Sequence, residues 1–453
     1  MMSWAQLLTR EKGTDILMAG IGRPSYPIPT QPIKSILSYW HNLLDKAENA
    51  RVSIASDNIE DPDIQSELYH HNAVINYNDP SGCYLARKKA AAALDQWYGN
   101  MLGITAENIL FTSGGAGGLY CIFDVINNRF PGGRILTTLP YYPLYKGSRD
   151  RNNLFPIDII TNKLFSLTPD ILEESIQSAY NLAKKDGSYP SAIVLCNPNN
   201  PLGTAFSEKE ASGIVNVLKK YPDILIILDE AYAEMIFDQS LPRSLICVAP
   251  ELKKRTILLR SATKALSAAG ERMAITISFD KELMQELLSI NVDVCCHPPI
   301  SLQHMYAEAL AHLDFDDLQM SARFYQSQVK YALQRLKSMN ISLCHDTYEV
   351  KGTFYVIANL NELIGCQMSS EIARAIKKQT AHEPEIKQMI ECDEDIAYSL
   401  LFENHIMITP CSYLGIDPTL GYVRITCSAG LNNIEKIMDI IEQRLSAVRK
   451  LRA

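Results

Sequence analysis

The sequence predicts an α/β protein, with a mostly parallel central sheet flanked by helices and a smaller α+β domain toward the C-terminal end. Short apolar runs bounded by Gly, Pro and Asn alternate with longer helical patterns, as they do when helical crossovers join parallel strands. Three runs, Ser191 to Cys196, Ile224 to Leu228 and Thr256 to Leu259, are apolar along their length, as strands covered on both faces are. Each gives way to polar residues. Ligands of open parallel sheets gather beyond the carboxyl ends of the strands, so chemistry is expected in Asn197 to Thr204, Asp229 to Tyr232 and Ser261 to Arg272.

The 453 residues, 47% hydrophobic and 21% charged, suit two or three domains with a large core. We expect an N-terminal arm and helix at 1–50 that join the small domain, a large domain at 51–320 and the small domain at 321–453. Pro24, Pro27, Pro29 and Pro32 force the arm to be extended. The helical pattern from Ile300 to Ser338 reads as one long helix leading out of the sheet domain. Beyond it, Gly352 to Ala358 and Gly421 to Cys427 read as strands of the smaller unit, and the polar stretch Ser369 to Asp395 as a surface excursion.

A net charge of −8 offers no basic stripe, which argues against nucleic acid or an anionic membrane as partner. Eleven cysteines lack paired CxxC spacing, and the adjacent Cys295 and Cys296 read as two buried thiols, not a metal site. The first thirteen residues carry Arg10, Glu11 and Lys12 without a sustained apolar core, and no run reaches the length of a membrane span. A reducing, cytoplasmic compartment is expected.

The candidate chemistry begins with Lys264, in a stretch of small residues following a short apolar strand. A lone loop lysine is ordinarily a solvated surface charge. Here Ser261 stands three residues before it and Arg272 eight after, and both residue types are natural phosphate ligands. Asp229 closes another apolar run, a place that suits a helix cap or a partner for a buried cation. Tyr232 and Asn200 offer an O–H and an amide from neighbouring strand ends. In Phe111 to Leu119, glycines let backbone N–H groups converge on an anion at a helix start, without the spacing of a dinucleotide fold. Tyr142 follows a further apolar run and supplies an aromatic face. An amine, an acid, hydroxyl and amide donors, a ring and an anion cradle are together what pyridoxal 5′-phosphate requires.

In order and spacing, Asn197-Pro-Asn-Asn-Pro-Leu-Gly-Thr204, Asp229-Glu-Ala-Tyr232 and Ser261 to Arg272 resemble the three signatures of the class I/II aminotransferases of fold type I. Tyr77 to Gly82 and Tyr422 to Thr426 extend the resemblance over most of the chain. It implies a pyridoxal 5′-phosphate enzyme in which Lys264 forms the Schiff base and carries the proton, while Asp229 holds the ring nitrogen. Asn200 and Tyr232 would contact the phenolate oxygen. Ser261, Arg272 and the amides of Ala116 and Gly117 would take the phosphate, and Tyr142 would stack on the ring. Arg424 would grip the substrate carboxylate, with Gly22 approaching it through its backbone. The tyrosine matching Tyr77 reaches the neighbouring subunit's phosphate in this family, which implies a homodimer.

Leu202 stands where relatives usually have Thr, Gly117 where a hydroxyl residue often assists the phosphate, and Cys411-Ser412 where a glycine-led turn is typical. The double glycine before Ala116 resembles the aminocyclopropane-carboxylate synthase branch, whose members are lyases. The resemblance favours amino transfer between an L-amino acid and a 2-oxo acid, with a lyase or a cofactor-binding sensor as alternatives; no helix-turn-helix supports the sensor. Ser289 to Met305, which borders the site in relatives, holds no Lys or Arg, which disfavours a dicarboxylic substrate, and Asp293 in that stretch is a candidate to face a cationic one.

Overall fold

Buried strands with alternating side chains form the centre of the computed structural model, which describes residues 1–56, 60–160, 165–341, 343, 348–369 and 389–452. In chain order they are β1 (Leu17–Met18), β2 (Ile109–Ser113), β3 (Arg134–Leu139), β4 (Leu154–Asp158), β5 (Pro190–Cys196), β6 (Leu225–Asp229), β7 (Thr256–Ser261), β8 (Met273–Ser278), β9 (Tyr355–Asn359), β10 (Ile406–Met407), β11 (Thr409–Pro410) and β12 (Tyr422–Thr426). The central sheet has seven strands in the order β2-β8-β7-β6-β5-β3-β4. Its strands pair in parallel from β7 through β4, and β8 runs antiparallel to both of its neighbours. Strands β2, β3, β4, β5, β6 and β7 therefore all end on one edge, where β8 begins.

Period-two alternation explains the continuous apolar runs. Ile226, Leu228 and Leu258 enter the core on one side of the sheet, while Leu225, Ile227, Ile257 and Leu259 enter the core on the other. Helices cover both faces. Pro169–Asp186 starts where the Thr168 side chain accepts the Ile171 N–H and stops at left-handed Gly187, burying Leu172, Ile176, Ala179 and Ala183 along one stripe. Glu208–Lys219 opens with a reciprocal capping box between Ser207 and Glu210.

A second, smaller sheet has the antiparallel order β11-β12-β9. Its register places Arg424 opposite both Ile357 and Thr409. Helix Leu431–Arg452 packs against helix Phe315–Ser338 beside it.

Three expectations are corrected. The stretch from Ile300 to Ser338 is two helices, Ile300–Ala311 and Phe315–Ser338, because the Asp314 side chain accepts the Asp316 N–H and caps a new start. The 1–50 segment also divides its packing. Helix Met2–Lys12 buries Ala5 and Leu8 against Leu401 and Met407, and β1 pairs with β10, but helix Thr30–Ser56 packs on Ile300–Ala311. The arm between them is led across by the Tyr325 hydroxyl, which accepts the N–H groups of Ser25 and Tyr26. Cys295 and Cys296 are half-buried, not buried. Most of the polar stretch from Ser369, residues 370–388, lies outside the described residues. Among the described residues, no helix is long and apolar enough to cross a membrane.

Candidate active site

The edge where six strands end collects the chemistry. Asp229 is the last residue of β6 and Ser261 the last of β7, Lys264 lies in the turn that follows, and Arg272 immediately precedes β8. The end of β2 runs directly into helix Gly114–Arg129, the residues after β3 deliver Tyr142, and those after β5 deliver Asn200. Arg424 arrives from β12 of the small sheet and Gly22 from the N-terminal arm. Together they enclose a cavity of about 1000 Å³ lined by Gly22, Ala116, Tyr142, Asn200, Asp229, Tyr232, Ser261, Lys264, Arg272 and Arg424.

Three predicted residues stand apart. Gly117 lies in the first helical turn but does not line the cavity, whereas Gly115 does. Tyr77 is 90% exposed on the protomer surface, its ring 6.4 Å from that of His297. Asp293 is exposed on helix Lys281–Cys295 and is not among the lining residues, so it does not face a substrate in this cavity.

Asp229 is 4% exposed and held rigidly. The Tyr145 hydroxyl donates to its Oδ2 at 2.7 Å, and the Ala231 N–H to its Oδ1 at 3.2 Å. Burial raises its pKa above the ordinary value, opposed by those two hydrogen bonds and by the positive charge of Lys264. Lys264 Nζ donates to the Gly22 carbonyl and sits 5.9 Å from the centre of the Tyr232 ring. Burial pushes the Tyr142 phenol up to about 12, with the charge of Asp229 adding to the effect, so it remains an uncharged aromatic surface.

Arg424 is buried. It donates through Nη1 to Asn200 Oδ1 at 3.0 Å and through Nη2 to the Gly20 carbonyl at 2.9 Å, and its Nε has no partner among the described residues. Arg272 sits at φ 50° and donates to the Ala269 carbonyl. A Cβ on Gly114, at φ +68°, would lie 2.6 Å from an Arg272 guanidinium nitrogen, so only glycine lets the helix start close on that group. Ser261 Oγ donates to Thr263 Oγ1 at 2.7 Å on the same side.

The charged lining residues are Arg23, Lys264, Arg272 and Arg424 against Asp15 and Asp229. Among the described residues, Lys264, Arg272 and Arg424 are in no ion pair. This surplus of positive charge, beside a glycine-lined helix N-terminus, suits two anionic groups such as a phosphate and a carboxylate.

The description "Aminotransferase class I and II" belongs to the family model that matches residues 53–441. The chain belongs to this family. Its class I and II relatives include the probable aspartate/prephenate aminotransferase of Rickettsia felis, 23% identical over 352 residues, with 77% of each chain covered. Human kynurenine–oxoglutarate transaminase 1 is 25% identical over 320 residues, covering 66% of this chain and 72% of that one. The solved aspartate aminotransferase of Thermotoga maritima superposes with a TM-score of 0.71 at 18% identity, covering 98% of this chain and 95% of the other, and shares the fold. That of Rhizobium meliloti also gives 0.71, at 17% identity, covering 98% and 94%. The protein is a fold type I aminotransferase dependent on pyridoxal 5′-phosphate. The cavity fits that group, with a buried acid, an amine, a stacking ring and a glycine-gated arginine on its walls.

Two residues of this site carry no sequence signal of their own. Tyr145 and Tyr355 are each 1% exposed, and each hydrogen-bonds a predicted residue from a distant part of the chain.

Proposed function

We propose that this aminotransferase moves an amino group between an L-amino acid with an apolar or aromatic side chain and a 2-oxo acid, with Lys264 holding the cofactor aldehyde as a Schiff base. The observation that carries this reading is the convergence of Lys264, Asp229, Arg272 and Arg424 on one cavity. When bound, pyridoxal 5′-phosphate supplies the aldehyde that receives the amino group and a ring that withdraws electrons from the substrate α-carbon. Asp229, fixed by Tyr145, would face the ring nitrogen and favour its protonated form. Tyr232 and Asn200 would donate to the phenolate oxygen. Arg272, Ser261 and the Ala116 amide at the helix start would bind the phosphate. Tyr142 would stack on the ring, and Arg424, already braced by Asn200 and Gly20, would take the substrate carboxylate and orient the α-carbon. Lys264 Nζ then takes the α-proton and returns it across the site. Gly22 lets the arm lie close to the reacting atoms.

Support for the substrate class comes from the cavity wall, where Met2, Ile16, Leu17, Met18 and Ile21 present apolar surface. We further propose a homodimer in which Tyr77 completes the partner's phosphate site, and a cytoplasmic location, for which the ten free cysteines among the described residues are the support. The test is to incubate the loaded protein with a panel of L-amino acids and 2-oxo acids. Matched formation of a new amino acid and a new oxo acid, fastest with apolar or aromatic donors, is expected. Release of ammonia or carbon dioxide without amino transfer would overturn the assignment.

A further inference from the structure

Tyr355, the first residue of β9, touches three parts of the site at once. Its hydroxyl lies 2.9 Å from the Tyr232 hydroxyl, with the two rings edge to face at 5.8 Å. The Arg424 guanidinium stacks over its ring at 4.3 Å. A Cβ on Gly22 would fall 2.1 Å from its hydroxyl, so the arm's backbone lies directly against it. The side chain is 1% exposed and cannot exchange these contacts for water.

We infer that Tyr355 is a positioning residue that couples the phenolate-contacting hydroxyl of Tyr232 to the carboxylate-binding Arg424, an inference that rests on the roles proposed above for those two residues. The chemistry follows from counting protons. Two phenols in contact share one hydrogen bond. If Tyr232 directs its single O–H at the cofactor phenolate, the bond between the tyrosines has to be donated by Tyr355. A phenol that accepts one hydrogen bond donates the next more strongly, so Tyr355 sharpens the donation from Tyr232. With the cofactor bound, that donation would draw electron density from the phenolate and loosen its hold on the proton at Lys264 Nζ. The charged and titratable groups facing the pair are Arg424 from β12, Lys264 from the turn after β7, Cys196 at the end of β5 and Tyr142 after β3. The ring has a separate duty, as the platform that holds the guanidinium plane.

Tyr355→Phe separates the two duties, because it removes the hydroxyl and keeps the ring. Protein loaded with pyridoxal 5′-phosphate is titrated with pH in the absence of substrate while its visible absorbance is followed. The midpoint is expected to rise by about 0.1–0.7 of a pH unit, from a 10–30% weakening of one charge-assisted hydrogen bond. Tyr232→Phe should raise it further, and adding Tyr355→Phe to Tyr232→Phe should change nothing more. Tyr355→Leu, which loses the ring too, should raise KM for the amino acid several-fold, while Tyr355→Phe leaves KM near wild type. No shift in Tyr355→Phe, or a shift that persists undiminished in the Tyr232→Phe background, would overturn the inference. A different failure marks the underlying roles. If Lys264→Ala keeps the pH-dependent band, the assignment of Lys264 falls, and this inference falls with it.

Discussion

Replacing Tyr145 with Phe tests how the site keeps its acid charged. The Tyr145 ring is fully buried between Phe123 and Tyr142, with centroids 5.9 and 5.8 Å away, so phenylalanine retains the packing and deletes only the O–H aimed at Asp229. Burial holds the Tyr145 phenol well above its ordinary pKa, so it remains a donor throughout the working range. A hydrogen bond to a charged group contributes about 1.5–3 kcal/mol, or about 1–2 pH units of stabilisation of the carboxylate. Burial already raises Asp229, and the lost bond is one of three influences that oppose burial, so the carboxylate becomes harder to ionise. The acid limb of the kcat/KM profile for amino transfer should therefore move up by about 1–2 units, with cofactor released faster in dialysis. Tyr142→Phe serves as the control and should leave that limb in place. An unmoved acid limb in Tyr145→Phe would refute the reasoning, because the Tyr145 bond would then not help set the charge of Asp229.

Gly114→Ala should cost about 1–2 kcal/mol through its left-handed backbone and push Arg272 aside, lowering affinity for pyridoxal 5′-phosphate by about tenfold in absorbance titration; unchanged affinity would mean that Arg272 has no part in holding it. Asp393 is fully buried, accepts the Ser412 N–H at its Oδ2, and has an Oδ1 with no partner among the described residues. Burial raises its pKa from 3.8 to about 6, which corresponds to up to about 3 kcal/mol of stability present below pH 3.8 and lost as pH rises through 6. Asp393→Asn keeps an oxygen for Ser412, so denaturant unfolding of this variant should show a flatter stability profile between those pH values and a gain at neutral pH; a profile parallel to wild type would contradict this.

The strand ends were readable because β5, β6 and β7 are buried on both faces, which leaves uninterrupted apolar runs that stop where the polar chemistry starts. Lys264, Asp229, Ser261 and Arg272 sit at or just beyond those stops, so local sequence marked them. Tyr145 and Tyr355 escaped because a tyrosine among apolar neighbours reads as core, and what makes each one functional lies 84 and 123 residues away, at Asp229 and Tyr232. The division of Ile300 to Ser338 into two helices turned on Asp314, which competes as a cap only when its side chain reaches the Asp316 N–H. The path of the arm at Ser25 and Tyr26 is tied to one distant hydroxyl, Tyr325, which no periodicity in the arm encodes.

The account rests on the amine at position 264. Borohydride reduction of the cofactor-loaded protein, followed by proteolysis and mass spectrometry, fixes a reduced pyridoxyl phosphate group wherever the imine stood. The account predicts the added mass on the peptide carrying Lys264 and its loss in Lys264→Ala; label on another lysine, or none on any, would contradict it.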